Sequence, residues 1–136
     1  MVKSQYVSWN EIEKTVQIIS NKISKSSKNF SSITTISRGG LIPSRLLADS
    51  LDIEKIFVDQ NIISSDSLFV DDIFDSGKTF SDVISKATDS SKLTFVTLFA
   101  RRGVSYPEQL IYGKQTLDDS YLVFPWDKLE YEKSLK

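Results

Sequence analysis

Near the middle of the chain, the run Leu68-Phe69-Val70-Asp71-Asp72-Ile73-Phe74-Asp75-Ser76-Gly77-Lys78-Thr79 gathers residue types that can do chemistry together. Three apolar residues read as the end of a buried strand. Two adjacent carboxylates follow, then a third, then a Ser-Gly-Lys-Thr turn with the apolar pair Val83-Ile84 behind it. The order predicts strand, acidic edge, phosphate-sized loop and helix. Amides at the start of such a helix have no intrahelical partner, and with the helix dipole they favour an anion. Gly77, lacking a Cβ, lets the backbone approach that anion closely. Carboxylates beside a phosphate would repel it unless a hard cation or sugar hydroxyls intervene. A ligand carrying phosphate, hydroxyls and bound Mg²⁺ satisfies all three groups.

Two common motifs do not fit. A P-loop needs glycine where Asp72 stands. An EF-hand loop needs alternating acids, and Ile73 breaks that spacing from Asp71. Phosphoribosyl pyrophosphate has the required groups. The run Val70 to Thr79 resembles the phosphoribosyl-pyrophosphate signature of the type I phosphoribosyltransferases: a hydrophobic run, two acids, two variable residues, then D-[ST]-G-x-T.

Upstream, Ser32 to Ile36 reads as a β-branched strand entering Ser37-Arg38-Gly39-Gly40-Leu41, with Pro43 suited to a first helical turn. A guanidinium beside bare backbone suits a diphosphate. This stretch resembles the family's pyrophosphate loop. Downstream, Lys92 to Ala100 reads as an interior parallel strand with Arg101 at its carboxyl end, where open α/β sheets bind ligands. The family has a lysine there that contacts the exocyclic oxygen of a 6-oxopurine. Arg101 can donate to the same oxygen but cannot accept from a 6-amino group. Tyr121-Leu122-Val123-Phe124-Pro125-Trp126-Asp127 resembles the family's base-recognition segment. By that match Tyr121 replaces the tryptophan that stacks on the purine, and Leu122 takes the neighbouring wall.

The supporting elements follow from periodicity. Ser8-Trp9-Asn10-Glu11 has capping-box form, and Val7 and Ile12 can staple across it. Trp9, Ile12, Val16, Ile19 and Ile23 then mark the core face of a helix of about four turns. Leu46, Leu47 and Leu51 face the core from the helix after Pro43. Lys55 to Val58 is a short strand, Asp59 to Ser67 a brief hairpin-like turn, Gln109 to Gly113 an edge strand, and the charged tail Lys128 to Lys136 a solvent-facing turn or helix. Tyr6-Val7-Ser8-Trp9 resembles the start of xanthine–guanine phosphoribosyltransferases. In those enzymes the connection matching Asp59 to Ser67 is a long flap with a Ser-Tyr pair. Here it is much shorter and the pair is not recognisable.

The chain has 136 residues, no cysteine and no histidine, 40% hydrophobic residues and a formal net charge of −1. A disulfide framework and thiolate or imidazole chemistry are excluded, and a dedicated nucleic-acid binder is disfavoured. No apolar run reaches membrane-spanning length. The expectation is one cytoplasmic domain over residues 1–136.

The resemblance implies an α/β fold: an open, mostly parallel sheet flanked by helices, with a small hood built from the chain ends. It implies transfer of a phosphoribosyl group to guanine, xanthine or hypoxanthine, in a homodimer or homotetramer. Asp71 and Asp72 would hold the ribose hydroxyls and Mg²⁺. Asp75 would handle the purine N7 proton. Ser76, Gly77, Lys78 and Thr79 would cradle the 5-phosphate, and Ser37, Arg38 and Gly39 the diphosphate. Arg101, Tyr121 and Leu122 would face the base. The alternative is a weakly catalytic regulator that binds phosphoribosyl pyrophosphate or a nucleotide.

Overall fold

In the computed structural model, which describes residues 3–136, Ser8 starts the first long helix as its spacing predicts. Its Oγ accepts the Glu11 amide at 3.1 Å and α1 runs Trp9–Lys25. The capping box is only half made, because the Glu11 carboxylate instead meets Lys114 Nζ at 3.3 Å. Ile12, Val16, Ile19 and Ile23 are buried and join Val7 in the main core, as the 3.6-residue period requires. Trp9 departs from the expected stripe. It is exposed, and its ring lies 5.8 Å from that of Trp126 on the outside of the core.

The chain then interleaves strands with two helices, and β3 leads to β4 and β5 to β6 without one. The order is β2 (Ser32–Thr35), α2 (Leu41–Leu51), β3 (Ile56–Val58), β4 (Ser67–Phe74), α3 (Lys78–Ile84), β5 (Thr94–Ala100) and β6 (Leu110–Gln115). These strands form one all-parallel sheet in the order β3-β2-β4-β5-β6. Alternate residues of β4 and β5 feed two cores. Leu68, Val70, Val96 and Leu98 pack with α1 and α2, whereas Phe69 and Phe95 pack with Val83 of α3. Every residue of β5 is buried, as expected for an interior parallel strand, and β6 is the expected edge. Leu47 is fully buried, and Leu46 and Leu51 pack against the same core.

Two expectations are corrected. β4 does not stop at Val70. It continues through Asp71 and Asp72 to Phe74, because Asp71, Ile73 and Phe74 pair with Thr97, Phe99 and Ala100 of β5. The acids therefore belong to the strand rather than to a loop beyond it. The segment 59–67 is also no hairpin. Ile63 is buried, its amide donates to Lys86 O at 2.9 Å and its carbonyl accepts from Thr88 N at 2.9 Å, so the segment runs as an irregular connection tied to the chain after α3, with a short turn closed by Ser67 N and Ser64 O at 3.0 Å.

The chain ends meet in a small hood. β1 (Ser4–Tyr6) pairs in parallel with β7 (Tyr121–Val123), followed by a 3₁₀ turn at Pro125–Asp127 and α4 (Lys128–Ser134). Phe124 carries this hood onto the sheet, its ring 5.9 Å from Phe99 and 4.9 Å from Trp126.

Candidate active site

Asp71 and Asp72 sit on successive positions of β4, with Asp71 buried and Asp72 half-buried. The Asp72 amide donates to Asp71 Oδ1 at 2.9 Å, and the Ile73 amide to Asp72 Oδ1 at 2.8 Å. Among the described residues, no lysine or arginine pairs with either acid. Burial, with Asp72 alongside, pushes the Asp71 carboxyl up to about 8. Burial also raises Asp72. Asp127 in the hood is raised by its own burial and then by Asp72 and Glu130. Among the described residues the two acids form a partly buried pair without a lysine or arginine partner.

Two turns flank it. After β2, a Cβ on Gly39 would lie 2.8 Å from Asp72 Oδ2, so only glycine leaves room for that carboxylate. This contact places the Ser37–Gly40 turn against the acids. The Ser37–Arg38 peptide is cis. Asp59 anchors the turn: its carboxylate accepts the Ser37 amide at 2.9 Å and the Ser37 hydroxyl at 2.6 Å. Those bonds hold the Asp59 carboxyl below the usual carboxylate range. Arg38 Nη2 meets Glu130 Oε2 of α4 at 3.2 Å.

After β4, Gly77 takes φ +86° and turns the chain from strand into α3. Ser76 Oγ accepts the Lys78 amide at 3.3 Å, and the remaining first-turn amides have no intrahelical partner. A cavity of about 170 Å³ is lined by the chain from Asp71 through Phe80. A second, of about 300 Å³, is lined by Arg38, Gly39, Asp72, Tyr121, Glu130 and Tyr131 among others. Asp72 lines both, so the acids stand between the two turns.

Arg101 follows β5 and is fixed. Its Nε donates to Asp75 Oδ1 at 3.1 Å, and its Nη1 donates to the carbonyls of Asp118 and Ser120 at 3.2 and 2.9 Å. The Arg101 side chain is only 15% exposed, whereas Asp75 is 62% exposed and opens to the first cavity. Tyr121 is half exposed and stacks on Tyr131 of α4, ring centroids 5.5 Å apart at 17°. Leu122 is buried in the core, so only its main chain can reach a ligand. Ser37, Arg101 and Leu122 line neither cavity, while Arg38, Gly39, Asp71, Asp72, Asp75, Tyr121 and the loop Ser76–Thr79 all do.

Sequence reading missed three contributors. Asp59 stands in an irregular connection with no pattern to mark it, and Glu130 and Tyr131 lie in the charged tail. Asp127 was visible only as the last letter of the Pro-Trp-Asp match.

The acids suit a divalent cation in one specific manner. Among the described residues no group of three or more His, Cys, Asp or Glu could cage a metal. Two carboxylates without a counter-charge, beside room for ligand oxygens and water, fit Mg²⁺ that arrives with a phosphorylated ligand.

No family model matches the chain. It is 28% identical over 142 aligned positions to the xanthine–guanine phosphoribosyltransferase of Chromohalobacter salexigens, covering 89% of this chain and 82% of the relative. A purine phosphoribosyltransferase from Pyrococcus horikoshii superposes with a TM-score of 0.70 at 22% identity, over 91% of this chain and 93% of its own. The Helicobacter pylori xanthine–guanine–hypoxanthine phosphoribosyltransferase gives 0.75 at 19% identity, over 96% and 99%. The chain has the type I phosphoribosyltransferase fold, and its sequence resembles the xanthine–guanine members of that family.

Proposed function

We propose that this protein is a purine-salvage enzyme that transfers the 5-phosphoribosyl group of phosphoribosyl pyrophosphate to a 6-oxopurine. One observation carries the reading: a half-buried acid, Asp72, lies between a glycine turn carrying Arg38 and the Ser76–Thr79 turn. Only a ligand with an anion at each end and hydroxyls between them uses all of these groups. Asp71 and Asp72 hold the ribose hydroxyls and, with ligand oxygens, Mg²⁺. Bound there, Mg²⁺ spreads the charge of the leaving diphosphate. Ser76, Gly77, Lys78 and Thr79 seat the 5-phosphate. Ser37 fixes the turn from which Arg38 and the Gly39 backbone receive the diphosphate.

The base lies on Tyr121, with the main chain of Leu122 at its edge. Arg101, held by Asp75 and by the carbonyls of Asp118 and Ser120, donates to the 6-oxygen. With donors only, it disfavours adenine. One oxygen of Asp75 holds Arg101, and the other takes the proton of the base. The bond from the ribose C1 to the diphosphate oxygen breaks as the purine nitrogen bonds to C1. The diphosphate leaves with the electron pair. The sugar passes through a cation-like state that fixed alignment and neighbouring anions favour.

A coupled assay with guanine, xanthine and hypoxanthine tests this. Base-dependent release of pyrophosphate is expected. Tight binding of phosphoribosyl pyrophosphate with no turnover of any of the three bases would replace the enzyme with a regulator. The reading extends to a single domain over residues 1–136, working in the cytoplasm as a homodimer or homotetramer without nucleic acid, which sedimentation can check for assembly. Among the described residues no helix is long and apolar enough to cross a membrane.

A further inference from the structure

The tail Lys128–Lys136 forms α4, which supplies a wall of the cavity lined by Arg38, Gly39, Asp72 and Tyr121. Two adjacent residues of this helix engage the two groups that ligand would need. Glu130 puts a carboxylate 3.2 Å from the Arg38 guanidinium, the chemistry of a diphosphate oxygen. Tyr131 lays a flat ring nearly parallel on Tyr121, the chemistry of a base. A base cannot slip between the two rings as they stand. Stacking on both faces needs on the order of 7 Å between them, and the centroids are 5.5 Å apart.

The helix is otherwise lightly held. None of its residues is buried, and among the described residues its remaining side-chain ties run from Tyr131 to the Ser4 hydroxyl and to the edge of Tyr6, 6.1 Å away. The connection where the xanthine–guanine enzymes carry their flap is tied down here through Ile63.

We propose that α4 is a ligand-displaced cover over the site, in which Glu130 and Tyr131 hold the places of the diphosphate and the base until ligand lifts the helix. The proposal rests on the functional reading above. A protein that spends most of its time covered binds ligand more weakly by the fraction uncovered. Loosening either contact therefore tightens binding of both ligands, because one helix carries both.

Titration calorimetry at fixed ionic strength, with inorganic pyrophosphate and with guanosine monophosphate, tests this. Glu130→Gln should tighten pyrophosphate binding about two- to fivefold. Glu132→Gln, on the same helix but outside the cavity, should show only the small change due to one lost charge. The decisive variant is Tyr131→Ala, which changes no charge and does not touch Arg38. It should tighten pyrophosphate about three- to tenfold, whereas Tyr131→Phe should stay within about twofold of the unsubstituted protein.

Unchanged or weaker pyrophosphate binding in Tyr131→Ala, with an unaltered melting temperature, overturns the cover. A measurement without substitutions guards against misfolding: pyrophosphate should accelerate amide exchange over residues 128–134, and unchanged or slower exchange speaks against displacement. If the unsubstituted protein binds neither ligand, the functional reading fails first and takes the cover with it. If it binds both and the variants do not tighten, the cover alone fails.

Discussion

Replacing Asp71 with Asn should stabilise the protein above neutral pH and leave much less effect in acid. Asp71 is 7% exposed and its carboxyl is pushed from 3.8 up to about 8 by burial and by Asp72. Between those values the folded chain keeps a proton that the unfolded chain has lost. Folded protein therefore binds more protons than unfolded, and stability falls as pH rises through the window. Carried in full, the shift penalises the ionised folded state by about 5–6 kcal/mol at 1.36 kcal/mol per pH unit. Water in the adjoining cavity relieves part of that, and a penalty of about 2–3 kcal/mol is the working figure. For a domain of this size it corresponds to about 6–12 °C in melting temperature. Asn keeps an oxygen for the Asp72 amide, now accepted at 2.9 Å, but adds an NH₂ group that needs partners at every pH. The diagnostic is thus the slope rather than the offset. Calorimetric melts of both proteins from pH 4.5 to 8.5, free of divalent cations, should diverge steadily as pH rises. Parallel melting curves across that range would refute the claim that Asp71 is a strained, buried acid.

Three further outcomes follow from the site. Asp75→Asn should lower kcat about 100- to 1000-fold while the affinity for phosphoribosyl pyrophosphate moves less than about threefold; equal losses in both would count against proton transfer at this residue. Gly39→Ala places a Cβ 2.8 Å from Asp72 Oδ2, so binding of phosphoribosyl pyrophosphate should weaken about tenfold with the melting temperature preserved, as titration calorimetry and a thermal melt would show. Asp59→Ala releases the Ser37 amide and hydroxyl and should cost about 10- to 100-fold in kcat/KM without touching any ligand, and unimpaired kinetics would remove Asp59 as the anchor of the turn.

The parts legible in the sequence are those whose cause is local. Gly77 had to precede a helix because Ser76 to Thr79 follows apolar strand residues, and the structure gives it a left-handed φ at that position. Ser8 had to cap α1, since its side chain reaches the Glu11 amide within one turn. The unreadable parts depend on distant partners. Asp59 acquires its role from Ser37, which lies across the β2–β3 crossover. The true length of β4 was hidden because Asp71 and Asp72 interrupt the apolar run, while pairing with β5 keeps them in the strand. Helix α4 buries nothing, so no hydrophobic period could reveal that Glu130 and Tyr131 turn toward the cavity. Trp9 fits the period of α1 yet lies outside, where it covers Trp126.

The charges of the site also argue for the form in which its ligand arrives. Arg38 is matched by Glu130 and Arg101 by Asp75, so each arginine of the site already has a partner. Asp71 and Asp72 have none among the described residues. A bare sugar diphosphate would set several negative charges beside an uncompensated acid pair, with Lys78 at the 5-phosphate end and Arg38 regained only by displacing Glu130. The same ligand carrying Mg²⁺ would supply positive charge to Asp71 and Asp72 and anionic charge to Arg38 in one event. Phosphoribosyl pyrophosphate should therefore bind at least about tenfold more tightly with saturating Mg²⁺ than with a chelator, and Asp71→Asn should reduce that ratio because the variant no longer needs the counter-charge. Equal affinities with and without Mg²⁺ in the unsubstituted protein would mean that the acids meet hydroxyls alone.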